Sequence, residues 1–165
     1  MTVTDIQKDV EALTLTVTAE YDVTADRAWQ LWADPRQLER WWGPPTYPAT
    51  VVDHDLRPGG RVGYFMTGPE GDRPHGGWDV LEVDAPRRLV VRDFFADENG
   101  VPLEGMPVGG MRVEIADRDG GGVVVTVVST FASQEALEQL LAMGMEEGLR
   151  EAMGQIDAIL AGQPV

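Results

Sequence analysis

The chain has 165 residues, 43% hydrophobic and 25% charged, a composition typical of a globular protein with one domain. It has no cysteine, which excludes disulfide bonds, thiolate catalysis, iron–sulfur clusters and cysteine-based zinc sites. Thirteen basic residues against 28 acidic ones give a net charge of −15, and so negative a surface repels nucleic-acid phosphates and anionic lipid headgroups. We therefore expect neither a nucleic-acid nor a membrane partner.

The first predicted elements are one strand and two short helices. Residues 13–21 alternate apolar and polar side chains, which is typical of a half-buried strand. Thr24 can cap a helix ending near Ala33, and Asp34 followed by Pro35 begins a second helix that must end before Gly43. We expect a single domain over residues 1–165, with its core at 12–161 and residues 1–11 as a loose N-terminal extension.

The middle of the chain predicts six more strands separated by turn residues. They are expected at residues 50–56, 61–67, 78–83, 88–95, 111–116 and 123–130. From Ser133 onward, apolar residues keep helical spacing for about 28 residues, which predicts one long helix lying across the sheet. This order of elements indicates an α+β fold.

Five short motifs occur in this order along the chain: Ala28-Trp29-Gln30-Leu31-Trp32, Trp41-Trp42-Gly43-Pro44, Asp55-Leu56-Arg57-Pro58-Gly59-Gly60, Pro86-Arg87-Arg88-Leu89-Val90 and Gly144-Met145-Glu146-Glu147-Gly148. Together they resemble the START-like (SRPBCC, helix-grip) superfamily, and within it the branch named after the activator of the heat-shock chaperone ATPase. The resemblance implies a curved antiparallel sheet of about six to seven strands around a long C-terminal helix, with an apolar cavity between them. Because members include lipid carriers, polyketide cyclases, receptors and chaperone activators, the resemblance specifies the fold better than the activity.

Strand alternation predicts which side chains face the interior. If the arginines at 61, 92 and 112 face solvent, their neighbours in alternation face inward. With the family pattern, and with methionines that suit variable apolar ligands, this gives a set of expected ligand-binding residues: Trp41, Trp42, Tyr64, Met66, Trp78, Asp93, Phe95, Met111, Ser129, Met143 and Met145. A fully packed core is the alternative to an open cavity at these positions.

Three of the inward polar residues, Tyr64, Asp93 and Ser129, are candidate anchors that would orient a ligand. Burial would raise the pKa of Asp93, and a carboxyl group with a raised pKa can act as a general acid or base. Asp93, Tyr64 and Glu147 are therefore the catalytic candidates if the protein is an enzyme.

Other types of site find little support in the sequence. In Asp53-His54-Asp55, strand alternation puts the imidazole on the face opposite the two carboxylates, so the three cannot converge on one metal ion. The glycine clusters join strand to strand instead of opening a helix, which excludes a phosphate-binding loop. We expect neither a metal nor a cofactor.

The leading hypothesis is a binding protein that encloses a hydrophobic or aromatic small molecule. The alternatives are a cofactor-independent cyclase, dehydratase or isomerase acting in the same cavity, and a module that modulates a chaperone. The N-terminal residues lack the features of a secretory signal and no apolar run is long enough to span a bilayer, so we expect a cytoplasmic protein. Whether it forms a homodimer stays open at this stage.

Overall fold

The chain folds as one antiparallel sheet with helices on one face. The computed structural model describes residues 3–106 and 109–162. Their elements, in chain order, are β1 (Val3–Asp9), β2 (Thr14–Tyr21), α1 (Ala25–Ala33), α2 (Pro35–Trp41), β3 (Ala49–His54), β4 (Arg61–Met66), β5 (His75–Asp84), β6 (Arg88–Ala96), β7 (Gly109–Asp117), β8 (Val123–Phe131), α3 (Gln134–Ala142), α4 (Met145–Met153) and α5 (Ile156–Leu160). The predicted α+β class is confirmed.

The strand order in the sheet is β1-β2-β8-β7-β6-β5-β4-β3. Successive hairpins connect β3 through β8, while β2 pairs with β8 far along the chain. Helices α1 and α2 connect β2 to β3, and so carry the chain from one side of the sheet to its opposite edge. Apart from β1, every observed strand overlaps a predicted one.

Local capping defines the first two helices as expected. The Thr24 hydroxyl accepts a hydrogen bond from the Arg27 amide (3.2 Å) at the start of α1. The Asp34 carboxylate accepts one from the Arg36 amide (2.9 Å), with Pro35 in the first turn of α2. These contacts satisfy amides that have no partner within the helix.

The buried apolar side chains form two clusters on the inner face of the sheet. The larger cluster joins β2–β8 to α1, α2, α4 and α5, and it includes Trp41, Trp78 and Met111. The smaller cluster contains Leu15, Phe131 and Leu137 and lies under α3. Helix burial on this face explains why inward strand positions are apolar.

The edge strand β3 is covered by two side chains from α2. The Val51 amide donates to Glu39 Oε1 (2.9 Å), and the Val51 carbonyl accepts from Arg36 Nη2 (2.8 Å). The two side chains also form an ion pair at 3.3 Å. Because an unpaired strand edge invites pairing with another chain, these contacts protect the sheet at β3.

Two expectations differ from the structure. Residues 3–9 form the edge strand β1 along β2, although the sequence predicted a loose extension there; residues 1 and 2 of that extension lie outside the described residues.

The C-terminal segment is helical as predicted, but it consists of three helices. Gly144 adopts a left-handed conformation (φ +88°) that ends α3, and a second interruption occurs at residues 154–155. Hydrophobic spacing did not reveal these breaks because apolar residues recur on both sides of each.

Candidate functional site

A cavity of about 220 Å³ lies between the sheet and the junction of α3 with α4. Strands β4 to β8 form its floor, and Leu140, Met145 and Leu149 of the two helices form its roof. Its lining combines members of the larger cluster with members of the smaller one. The cavity is thus a gap between two apolar clusters, partly open to solvent and predominantly apolar.

Most of the predicted ligand-binding residues line this cavity. They come from four strands and from the segments that follow α2 and begin α4: Trp42, Tyr64, Met66, Asp93, Phe95, Met111, Ser129 and Met145. The inward orientation inferred from alternation is therefore correct for the strand residues in this group. Whether they bind a ligand stays a prediction.

The other predicted residues lie elsewhere. Trp41 and Trp78 are fully buried in the larger cluster, and the Trp41 indole donates to the Leu31 carbonyl at 2.9 Å. Met143 is 56% exposed, since the left-handed turn at Gly144 leaves it on the outside. Glu147, the third catalytic candidate, lies exposed on α4, 3.9 Å from Arg150 and away from the cavity.

A group of tryptophans supports one wall of the cavity. The Trp42 ring meets Trp78 edge to face at 4.9 Å between ring centroids, and meets Trp41 at 5.6 Å. Tyr64 also packs edge to face against Trp42, at 5.9 Å between ring centroids. Edge-to-face contacts among large rings hold each other in place, so the aromatic wall is preorganised.

Two inward-facing glycines, which sequence analysis did not identify, make room for the cavity. Gly76 lies opposite Tyr64 in the β4–β5 pair, and Gly109 lies opposite Asp93 in the β6–β7 pair. A Cβ atom at Gly76 would lie 2.9 Å from the Tyr64 hydroxyl, and one at Gly109 would lie 2.4 Å from the Thr130 carbonyl oxygen. Glycine inside a strand marks such a close approach, and its coincidence with inward register could have identified both positions.

Asp93 is an acidic residue that lines the cavity. Its Oδ1 atom is sealed from solvent and accepts no hydrogen bond from any described residue. The side chain as a whole is half-buried, since part of it faces the cavity. Burial raises the pKa of Asp93 from 3.8 to about 7, so the carboxyl group is close to half protonated at neutral pH.

Tyr64 and two indoles complete the polar groups around Asp93. Burial, followed by the negative charge of Asp93, raises the pKa of the Tyr64 hydroxyl well above its ordinary value. The Trp42 N–H lies close enough to the Tyr64 oxygen to oppose this slightly, but it makes no hydrogen bond of good geometry. The Trp78 N–H is likewise unpaired, and Ser129 is 3% exposed. Among the described residues that line the cavity, Asp93 Oδ1 and Trp42 Nε1 therefore have unused hydrogen-bonding capacity.

Two structural features are not found among the described residues: a metal-binding cluster and a membrane-spanning helix. Across 3–106 and 109–162, no cluster of three or more His, Asp or Glu side chains is arranged to hold a metal ion. In the same part of the chain, no helix has the length and apolar character needed to cross a membrane.

Solved structures from several bacteria are similar to this chain. Protein Ms6760 from Mycobacterium smegmatis is 52% identical, with a TM-score of 0.88 and 96% of each chain covered. A protein from Arthrobacter aurescens is 44% identical, with a TM-score of 0.93 over 99% of this chain and 96% of that one. A Silicibacter pomeroyi protein named AHSA1 is 19% identical, with a TM-score of 0.71 over 90% of this chain and 97% of that one, a likeness of fold alone. A search of curated proteins finds no match.

A family model gives the remaining comparison. The model described as Activator of Hsp90 ATPase homolog 1-like protein matches residues 22–161, which hold α1 through α5 and all strands from β3 to β8. The match agrees with the helix-grip arrangement of curved sheet and C-terminal helices seen here, and with the family that the five sequence motifs resemble. The chain belongs to the family of Activator of Hsp90 ATPase homolog 1-like proteins.

Proposed function

We propose that the protein binds a small molecule with an apolar body, aromatic or aliphatic, in the cavity between the sheet and the C-terminal helices. The observation that carries this proposal is unfilled apolar space between two clusters that are otherwise closely packed. Protein interiors leave few voids larger than a water molecule, so a gap of this size is unusual in a core that only stabilises the fold.

The size of the cavity limits the ligand. An apolar cavity of about 150 Å³ accommodates benzene, so the cavity of about 220 Å³ has room for one ring with a short side chain. Tyr64, Asp93 and Ser129 supply the few polar groups that such a site uses to orient its ligand.

Two methionines provide a matched test. Met145 lines the cavity, whereas Met143, two residues earlier, lies outside it. We expect Met145→Trp to fill the cavity and abolish binding of one-ring compounds, and Met143→Trp to leave binding unchanged. Ligand-observed NMR titration measures both, and native mass spectrometry of protein purified from cells would reveal a retained ligand. Equal binding by the two variants, or no binding by the wild type, would overturn the proposal.

Acid–base catalysis in the same cavity is a second candidate function, favoured by Asp93. A carboxyl group with a pKa of about 7 suits proton transfer near neutral pH. If the protein acts on its ligand, the Asp93→Asn variant should still bind the compound but no longer convert it. NMR spectra of the compound measure this turnover. Turnover that survives this change would exclude Asp93 as the acid or base.

A further inference from the structure

We propose that the cavity selects organic ammonium ions, molecules that join a protonated amine to an aromatic or aliphatic body, with the Asp93 carboxylate as their counter-charge. This inference rests on the proposed binding function and adds the chemical class of the ligand. It follows from the charges that face the cavity and from those that are missing there.

The Asp93 carboxylate has no cationic partner in the described part of the chain. None of the described residues that line the cavity is a lysine or an arginine. The roof residues Leu140, Met145 and Leu149 are uncharged, as are the floor residues on β7 and β8. A buried carboxylate without a partner is costly, and a bound cation would remove that cost.

Tyr64 and His75 are the other ionisable residues among the described residues that line the cavity, and neither places a positive charge beside Asp93. Tyr64 has no cationic form, and its raised pKa keeps the hydroxyl protonated and neutral. The ring of His75 packs against Phe65 at 5.3 Å between centroids, and its Nδ1 lies 2.8 Å from the Arg73 carbonyl oxygen. His75 is adjacent in β5 to the inward-facing Gly76, so strand alternation turns its ring to the opposite face of the sheet.

The aromatic lining favours the same class of ligand. Trp42, Tyr64 and Phe95 line the cavity together with Asp93. The faces of aromatic rings attract cations, most strongly where water is excluded. An anionic ligand would instead meet a carboxylate with no compensating charge, and a neutral ligand would leave that carboxylate unpaired.

The test compares two compounds of nearly equal shape, 2-phenylethylamine and 2-phenylethanol. Each has one ring and a two-carbon chain, so the cavity volume does not discriminate between them. At pH 8 Asp93 is mostly ionised, and an alkylammonium, whose pKa resembles the 10.4 of lysine, keeps its proton. We expect the amine to bind wild-type protein about tenfold more tightly than the alcohol at this pH.

Asp93→Asn should remove this preference, so that the two compounds bind within about twofold of each other. Glu147→Gln is the matched control, because it removes the same unit of charge from an exposed position outside the cavity. If Asp93 acts through its position in the cavity, the Glu147→Gln variant should still bind the amine more tightly than the alcohol. A preference that survives Asp93→Asn, or one that Glu147→Gln also abolishes, would overturn the inference.

The pH dependence gives an independent measure. Since the ionised fraction of a group with a pKa of about 7 rises about tenfold from pH 6 to pH 8, amine affinity should rise by the same factor in wild-type protein. The Asp93→Asn profile should be flat over this range. A rise that persists in the variant would assign the effect to another group and contradict the inference.

A measurement on unaltered protein avoids reliance on the variant. NMR titration of the Asp93 carboxyl carbon should show its pKa lowered by at least one unit by the amine and not by the alcohol. Binding of both compounds with equal affinity would overturn the ligand class and leave the proposed binding function standing. Binding of neither compound would overturn both.

Discussion

Asp93 is the residue at which stability and binding conflict. Its folded-state pKa of about 7 lies above the ordinary value of 3.8, so the folded protein holds a proton that the unfolded chain releases between these values. The sign follows directly: Asp93 leaves the fold intact below pH 4 and destabilises it increasingly as the pH rises toward 7. A group kept at such a cost is better explained by a ligand than by the fold.

We expect the Asp93→Asn variant to gain stability over wild type as the pH rises. The difference in the free energy of unfolding should grow by about 1.4 kcal/mol per pH unit between pH 5 and pH 6, by about half that rate at pH 7, and then level off. Urea unfolding of both proteins across this range measures it. A constant difference would mean that Asp93 is not the buried acid described here.

For single residues, the sequence predicted which face of the sheet a side chain lies on better than it predicted how deeply that side chain is buried. The solvent-facing Arg92 and Arg112 indicated that Asp93 and Met111 point inward, and both line the cavity. Alternation could not tell that Trp41 is sealed in the core while its neighbour Trp42 reaches the cavity, because that depends on how α2 packs on the sheet.

Among the elements, β3 depends on side chains of α2 for its outer edge. Glu39→Ala should cost about 1 kcal/mol of stability, because the Val51 amide loses its acceptor. Glu39→Gln keeps an acceptor oxygen and should retain most of that stability. Urea unfolding measures both, and hydrogen exchange at the Val51 amide should accelerate in the Ala variant alone. Equal losses in the two variants would attribute the effect to the Arg36 ion pair instead.

Two glycines in the C-terminal segment should respond oppositely to alanine. Gly144 has a φ of +88°, which strains any residue with a Cβ, so Gly144→Ala should cost about 1 kcal/mol or more. Gly148 lies inside α4 with open space at its Cβ position, so Gly148→Ala should gain about 0.5–1 kcal/mol. Thermal unfolding compares them. Stabilisation by both changes would indicate that α3 and α4 can join into one helix.

Helix starts could be predicted from the sequence, whereas the break between α3 and α4 and the strand β1 could not. Capping residues such as Thr24 and Asp34 determine helix starts through local hydrogen bonds, so both starts were predictable. Gly144 is one of several glycines in an apolar helical pattern, and nothing local separates it from Gly148. Strand β1 was missed because its pairing partner, β2, determines its structure.

For the whole molecule, a net charge of −15 means self-repulsion. Raising sodium chloride from about 10 mM to 150 mM shortens the Debye length from about 30 Å to 8 Å, so we expect the melting temperature to rise. Calorimetry at constant pH measures it, with potassium chloride at equal ionic strength as the control for specific ion effects. A fall in melting temperature would show that the surface ion pairs outweigh the repulsion.

The strand order also bears on how the protein emerges from the ribosome. β2 pairs with β8, and even the nearest partners in this pair, Tyr21 and Val123, are separated by about a hundred residues of chain. At 5–20 residues per second, that stretch takes roughly 5–20 seconds to synthesise. During this time the apolar side chains of Leu15 and Val17 have no β8 to pack beside. Closure of the sheet therefore awaits translation of β8, which ends at Phe131. The nascent chain is most exposed to aggregation or to chaperone capture in this interval.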